Sequence, residues 1–156
     1  MIESYKSAIE EFKRVDHLYY VTLKYTRTVD VIRSTIERLI STFEYAINAV
    51  LKCLKEEKVI DEIPANAVGK ANLAKENCAD ESMHKYMDDY LELRRIMRFD
   101  FTRREEFRRH VTMIVSMPDG KKEIDIDLLK EYYDDTRKFL TYVKEMVDNY
   151  KDDSDY

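Results

Sequence analysis

No proline precedes Pro64 and no glycine precedes Gly69 in this chain of 156 residues. The segment before Pro64 therefore lacks the two residues that most readily break a helix. Its apolar positions recur with helical spacing: Tyr5, Ile9, Phe12, Val15 and Tyr19, then Ile32, Ile36, Leu39, Phe43, Ile47, Val50 and Leu54. One straight helix of that length would reach about 90 Å at about 1.5 Å per residue, too long for a domain of this size to cover. A break is expected at Tyr25-Thr26-Arg27-Thr28, where polar and β-branched residues cluster and Thr28 can cap the next helix. The pattern predicts a long antiparallel helical hairpin spanning residues 3–58.

Beyond it, Pro64 suits a first-turn helix position, with a short helix over Ala65 to Lys75 interrupted at Gly69. Asp80 or Ser82 starts a further helix through about Phe99, with Met83, Tyr86, Tyr90, Leu93 and Met97 inward. Thr102-Arg103-Arg104-Glu105 reads as a capping box opening another helix. Val111 to Met117 is rich in β-branched residues and is followed by Pro118-Asp119-Gly120, a turn signal. A short β-hairpin over 111–126 is the favoured reading, with a helix running to about Met117 as its alternative. Asp125 or Asp127 caps a last helix to about Tyr150, striped by Leu129, Tyr133, Leu140, Val143 and Val147. The fold class expected is mainly all-α, an up-and-down four-helix bundle over residues 1–150 with a frayed acidic tail at 151–156.

Composition narrows the function classes. Apolar residues make up 44% of the chain, enough to build a core without disulfides or a structural metal. The net charge of −5 predicts solubility and opposes whole-protein affinity for nucleic acid, leaving only a local patch for that role. Cys53 and Cys78 lack metal-ligand spacing and suit a reducing compartment. With no signal-peptide pattern and no apolar run near the roughly 18 residues of a membrane span, a cytoplasmic protein without membrane contact is expected. Two glycines exclude a glycine-rich phosphate loop. His84 and Asp88 share helical spacing but have no second histidine, so neither metal nor cofactor is expected. Tyr19-Tyr20 and Tyr132-Tyr133 are expected in helix seams.

Charge is concentrated between Arg94 and His110, where seven arginines face three carboxylates. The guanidinium fork binds phosphate bidentately, which makes this stretch the candidate phosphate contact. Phe99, Phe101 and Phe107 are interleaved and could stack on bases. The alternative is a solvated face paired with acids of the last helix, Glu131, Asp134, Asp135, Glu145 and Asp148. On a helix, Arg103, Glu106 and His110 would share one face, with Arg104 close enough to converge. Histidine titrates near neutrality and can move a proton in phosphodiester cleavage, while arginine holds the phosphate.

Arg104-Glu105-Glu106-Phe107-Arg108-Arg109-His110 resembles the R-x(4–6)-H motif of the HEPN superfamily. The order of elements is similar too: two long helices, a variable middle, the motif, then a final amphipathic helix. Glu105 stands where the family usually carries Asn, Asp or His. The resemblance implies a four-helix core, a homodimer that brings two motifs together at a cleft, and metal-independent endoribonuclease activity. It also implies a nucleotidyltransferase-like partner protein. Arg104 and His110 would be the catalytic pair, and Arg103, Arg108 and Arg109 the phosphate-binding residues on RNA. Beside this stands a second reading, a non-catalytic helical oligomerisation or protein-interaction module.

Overall fold

The first helix ends where the breaker-free segment turns polar. In the computed structural model, which describes residues 1–154, α1 (Ile2–His17) continues through a π-helical turn (Leu18–Thr22) into α2 (Leu23–Tyr25). Thr28 then takes an extended conformation, and its side-chain oxygen accepts the Val31 amide at 3.3 Å to open α3 (Val29–Glu56). The two arms run antiparallel. Lys52 Nζ near the end of α3 donates to Ser4 Oγ at 2.9 Å, and Arg38 in its middle reaches Glu11 Oε2 at 3.3 Å. Ala8, Phe12 and Val15 of the first arm and Ile32, Ile36, Leu39, Phe43 and Ile47 of the second are buried in one common core.

The remaining helices are α4 (Ala67–Asn77), α5 (Ser82–Ile96) and α6 (Ile126–Ser154). Asn66 caps α4 by accepting the Gly69 amide, so Pro64 precedes the helix instead of lying in its first turn. Gly69 thus lies in the first turn rather than interrupting the helix, and a Cβ there would sit 2.9 Å from the capping oxygen. Asp125 caps α6 by accepting the Leu128 amide at 2.8 Å. α6 runs on to Ser154, and 155–156, the end of the expected acidic tail, lie outside the described residues. Phe139 of α6 stacks on Phe43 of α3 at 5.4 Å and leans on Tyr86 of α5 at 5.3 Å, so one ring joins three helices. No helix among the described residues is long and apolar enough to cross a membrane.

The expected hairpin forms as β2 (Thr112–Met117) and β3 (Gly120–Ile124), with Gly120 at φ 131° opening β3 just after the Pro118-Asp119 turn. A third strand joins it. β1 (Phe101–Arg104) pairs antiparallel with β2, Phe101 opposite Val115 and Arg104 opposite Thr112. This corrects the helix expected from the capping box at Thr102. The threonine lies inside a strand, and Glu105 (φ 53°) and Phe107 (φ 61°) adopt left-handed backbone that no α-helix contains. Cross-strand pairing with the β-branched run of β2 overrode a local capping signal. The sheet's inner face carries Phe101, Arg103, Met113, Val115 and Ile124, and its outer face Arg104, Ile114 and Glu123.

One half-buried carboxyl pair is expected to make stability depend on pH. Asp89 of α5 has its Oδ2 buried without a hydrogen-bond partner, 3.9 Å from Lys85 Nζ. Lys85 also holds Asp135 of α6 at 2.8 Å. Burial first, then the neighbouring Asp135, pushes Asp89 above the usual carboxylate range. Burial opposes ionisation of Asp135 as well, but hydrogen bonds from Asp89 and Lys85 outweigh it. Burial beside Asp135 thus favours the protonated form of Asp89 in the fold. A folded pKa above the unfolded value contributes stability at low pH that is lost as pH rises through the folded value. Asp89→Asn keeps a donor at every pH. Its melting temperature is expected to exceed that of the wild type at about pH 8, with the difference shrinking steadily as pH falls toward the unfolded carboxylate value of about 4.

Candidate functional site

The segment between β1 and β2 is latched onto the turn between α2 and α3. The Phe107 amide donates to the Arg27 carbonyl at 2.6 Å. Glu106 Oε2 accepts the Val29 amide at 3.1 Å, one of the donors that the first turn of α3 leaves without a helical partner. Arg103 closes the latch. One of its nitrogens donates to Asp30 at 2.9 Å, and the other lies 3.7 Å from Glu106 Oε1. Behind it, the Phe101 ring lies under two guanidiniums, Arg33 at 4.1 Å and Arg103 at 5.3 Å. The strained turn at Glu105 and Phe107 is thus fixed by contacts to residues remote in sequence.

The latch encloses a cavity of about 630 Å³ between the turn, the β1 end and the start of α6. Arg27, Arg104, Arg109 and His110 bring positive and titratable groups to it. Glu105, Asp125 and Asp127 bring carboxylates, and Thr112 and Ile126 complete the wall. Formal charges in this lining cancel, but not all are free to meet a ligand. Arg104 is tied to Glu123 on the sheet's outer face at 2.6 Å, and the pair holds the guanidinium above and the carboxyl below their ordinary values. Asp125 is committed to the α6 cap. Arg27 and Arg109 have no carboxylate within 4.0 Å among the described residues.

The five residues expected from sequence therefore separate. Arg104, Arg109 and His110 meet at the cavity, whereas Arg103 is neutralised in the latch and Arg108 stays exposed outside the lining. The helical face expected for Arg103, Glu106 and His110 does not exist. Arg103 and Glu106 do meet, but across a left-handed turn, and His110 lies in the loop leading to β2. The acids of α6 are not the arginines' partners either. Arg94, Arg95, Arg103 and Arg104 pair with Glu44, with Glu92 and Asp119, with Asp30 and Glu106, and with Glu123. Among the acids expected to pair, Asp134 engages Lys130 and Asp135 engages Lys85.

Arg27, Asp125 and Asp127 are lining residues that sequence reasoning did not single out. The signal for Arg27 was its place in the expected helix break, and that for the two aspartates was their candidacy as caps. Asp88, which shares helical spacing with His84, is engaged by Lys75. Among the described residues, no three His, Cys, Asp or Glu side chains cluster as a metal site. Comparison with known proteins finds no match: no family model, no curated protein and no solved structure is similar to this chain.

Proposed function

We propose that this chain is an RNA-binding domain of HEPN type that cleaves RNA without a metal at the cavity between the α2–α3 turn and the β1–β2 loop. The observation that carries this is the convergence of Arg27, Arg109 and His110, from segments far apart in sequence, on one cavity. Arg27 and Arg109 would hold the phosphate, and Glu105 or Asp127 would accept from a ribose hydroxyl. Cleavage follows from the RNA's own chemistry. The 2′-oxygen attacks phosphorus while His110 takes its proton, the P–O5′ bond breaks, and the departing 5′-oxygen takes a proton from water or from a second His110. The products are a 2′,3′-cyclic phosphate and a 5′-hydroxyl. Arg104, tied to Glu123, would have a lesser part than the motif implies, offering the phosphate only the side of its fork left by that ion pair. The proposal includes the up-and-down four-helix core of α1, α3, α5 and α6, a cytoplasmic location, a homodimer pairing two cavities, and a nucleotidyltransferase-like partner protein.

The binding step has its own test. Joint Arg27→Ala and Arg109→Ala substitution is expected to weaken the Kd for unstructured RNA by at least about tenfold and to flatten its salt dependence by about two counterions. Glu123→Gln releases Arg104 and should tighten binding by about threefold. An unchanged Kd in the double variant contradicts the site.

The neutralisation of Arg103 and Arg104 by carboxylates of the same chain favours the second reading, a non-catalytic oligomerisation or interaction module. Under it, sedimentation shows an oligomer and RNA neither binds nor is cut.

A further inference from the structure

The cleft has an aromatic neighbour. A second cavity, of about 210 Å³, is walled by Tyr19, Tyr20, Leu23 and Lys24 and shares Arg27 and Ile126 with the first. We infer that this second cavity is a nucleobase pocket, in which Tyr20 stacks on an unpaired base whose adjoining phosphate lies at Arg27, so that the ligand is single-stranded RNA. The inference rests on the RNA-binding reading and adds the strandedness and a residue that recognises the base.

The local backbone builds this wall. The π-helical turn at Leu18–Thr22 interrupts the α-helical register, a device frequent at functional sites. It sets two consecutive tyrosines to different tasks. Tyr19 continues an aromatic ladder from the core, with Phe12 on Tyr133 at 5.0 Å and Tyr133 on Tyr19 at 5.7 Å, all near parallel. Its hydroxyl donates to the carbonyl of Ile126, the residue common to both cavities. Tyr20 stands nearly perpendicular to both tyrosines, at 78° and 84°, and remains 46% exposed. Its position is thus fixed from behind while much of it faces solvent.

Around the same corner lie two more uncovered rings, Tyr25 at 79% and Phe107 at 75% exposure. Phe107 is held there by a left-handed backbone and its bond to the Arg27 carbonyl. A large aromatic kept outward at a strained position does nothing for the core. Tyr20, Tyr25 and Phe107 thus bring exposed rings, and Lys24, Arg27 and Arg109 bring cations, to the segments that build the two cavities. That is the pattern that tracks a single strand, with bases on π-faces and phosphates on cations. A duplex buries its base faces in its own stack and cannot use it.

Fluorescence anisotropy on the full chain tests this, using an unstructured oligouridine of about eight nucleotides, its abasic counterpart of equal length, and a blunt RNA duplex. Tyr20→Leu and, separately, Phe107→Ala are expected to weaken oligouridine binding by about tenfold each, with Tyr20→Phe unchanged. Neither should alter binding of the abasic strand, which should already be weak. Since Phe107 is exposed, its variant keeps the test valid even if Tyr20→Leu disturbs packing. Equal affinity for oligouridine, abasic strand and duplex overturns the base pocket while leaving phosphate binding intact. If no probe binds, the RNA-binding reading fails and this inference with it. A sedimentation mass lowered by Phe107→Ala with RNA affinity unchanged also overturns it, because a second copy of the chain would then cover the rings.

Discussion

His110→Ala is expected to slow RNA cleavage by at least about a hundredfold while changing RNA affinity by less than about threefold. The split follows from the division of labour at the cavity. Arg27 and Arg109 carry the positive charge free of carboxylate partners among the described residues, which on the proposed reading would grip a phosphate, and His110 carries the one imidazole in the lining. Removing a proton-transfer group raises the barrier without removing the grip. Arg104→Ala should cost much less than Arg109→Ala, because Arg104 is already engaged by Glu123. This ordering inverts what the motif implies, where Arg104 is the principal arginine. Single-turnover cleavage of a labelled oligonucleotide by purified variants measures both effects. A rate indifferent to His110→Ala removes the histidine from the mechanism, and a loss at Arg104 as large as at His110 restores the motif's order.

Phe139→Ala should produce the largest loss of stability, about 3–5 kcal/mol. The ring is fully buried, stacks on Phe43 of α3 and touches Tyr86 of α5, so truncation opens a void where three helices meet. The surrounding rings are held by partners of their own. Tyr90, beside Phe43, donates to Glu44 Oε2 at 3.0 Å and resists collapse into the gap. Urea unfolding should show a lower midpoint with an unchanged slope. A loss under about 1 kcal/mol would mean that the helices do not share this contact.

The parts of the fold visible in the sequence were those set by local chemistry. A segment without breakers made the hairpin of α1 and α3, and Thr28 and Asp125 were recognisable caps. Pro118-Asp119-Gly120 marked the turn between β2 and β3. β1 was hidden because Thr102 and Glu105 have capping-box spacing, and only pairing with β2 decides against a helix there. The π-helical turn left no signal, since Leu18 to Thr22 contains no residue that demands it. At the site, the arginine cluster was plain, but which arginines stay free was not. Arg103 finds Asp30 and Arg104 finds Glu123 only once the sheet sits against the helices. Arg27 stood out as part of a turn, not as a ligand group, because the segments that complete its cavity are distant in sequence.

The chain has three histidines, His17, His84 and His110, which makes the central claim directly readable. Imidazole proton–nitrogen correlation spectra recorded while unstructured RNA is added should show one ring responding, identified by its disappearance in His110→Ala. His17 on α1 and His84 on α5 lie outside the cavity lining and should stay still. Movement of the His110 resonances alone, saturating with RNA, is the predicted result. No movement at His110, or movement at His17 or His84 instead, would contradict RNA binding at this cavity.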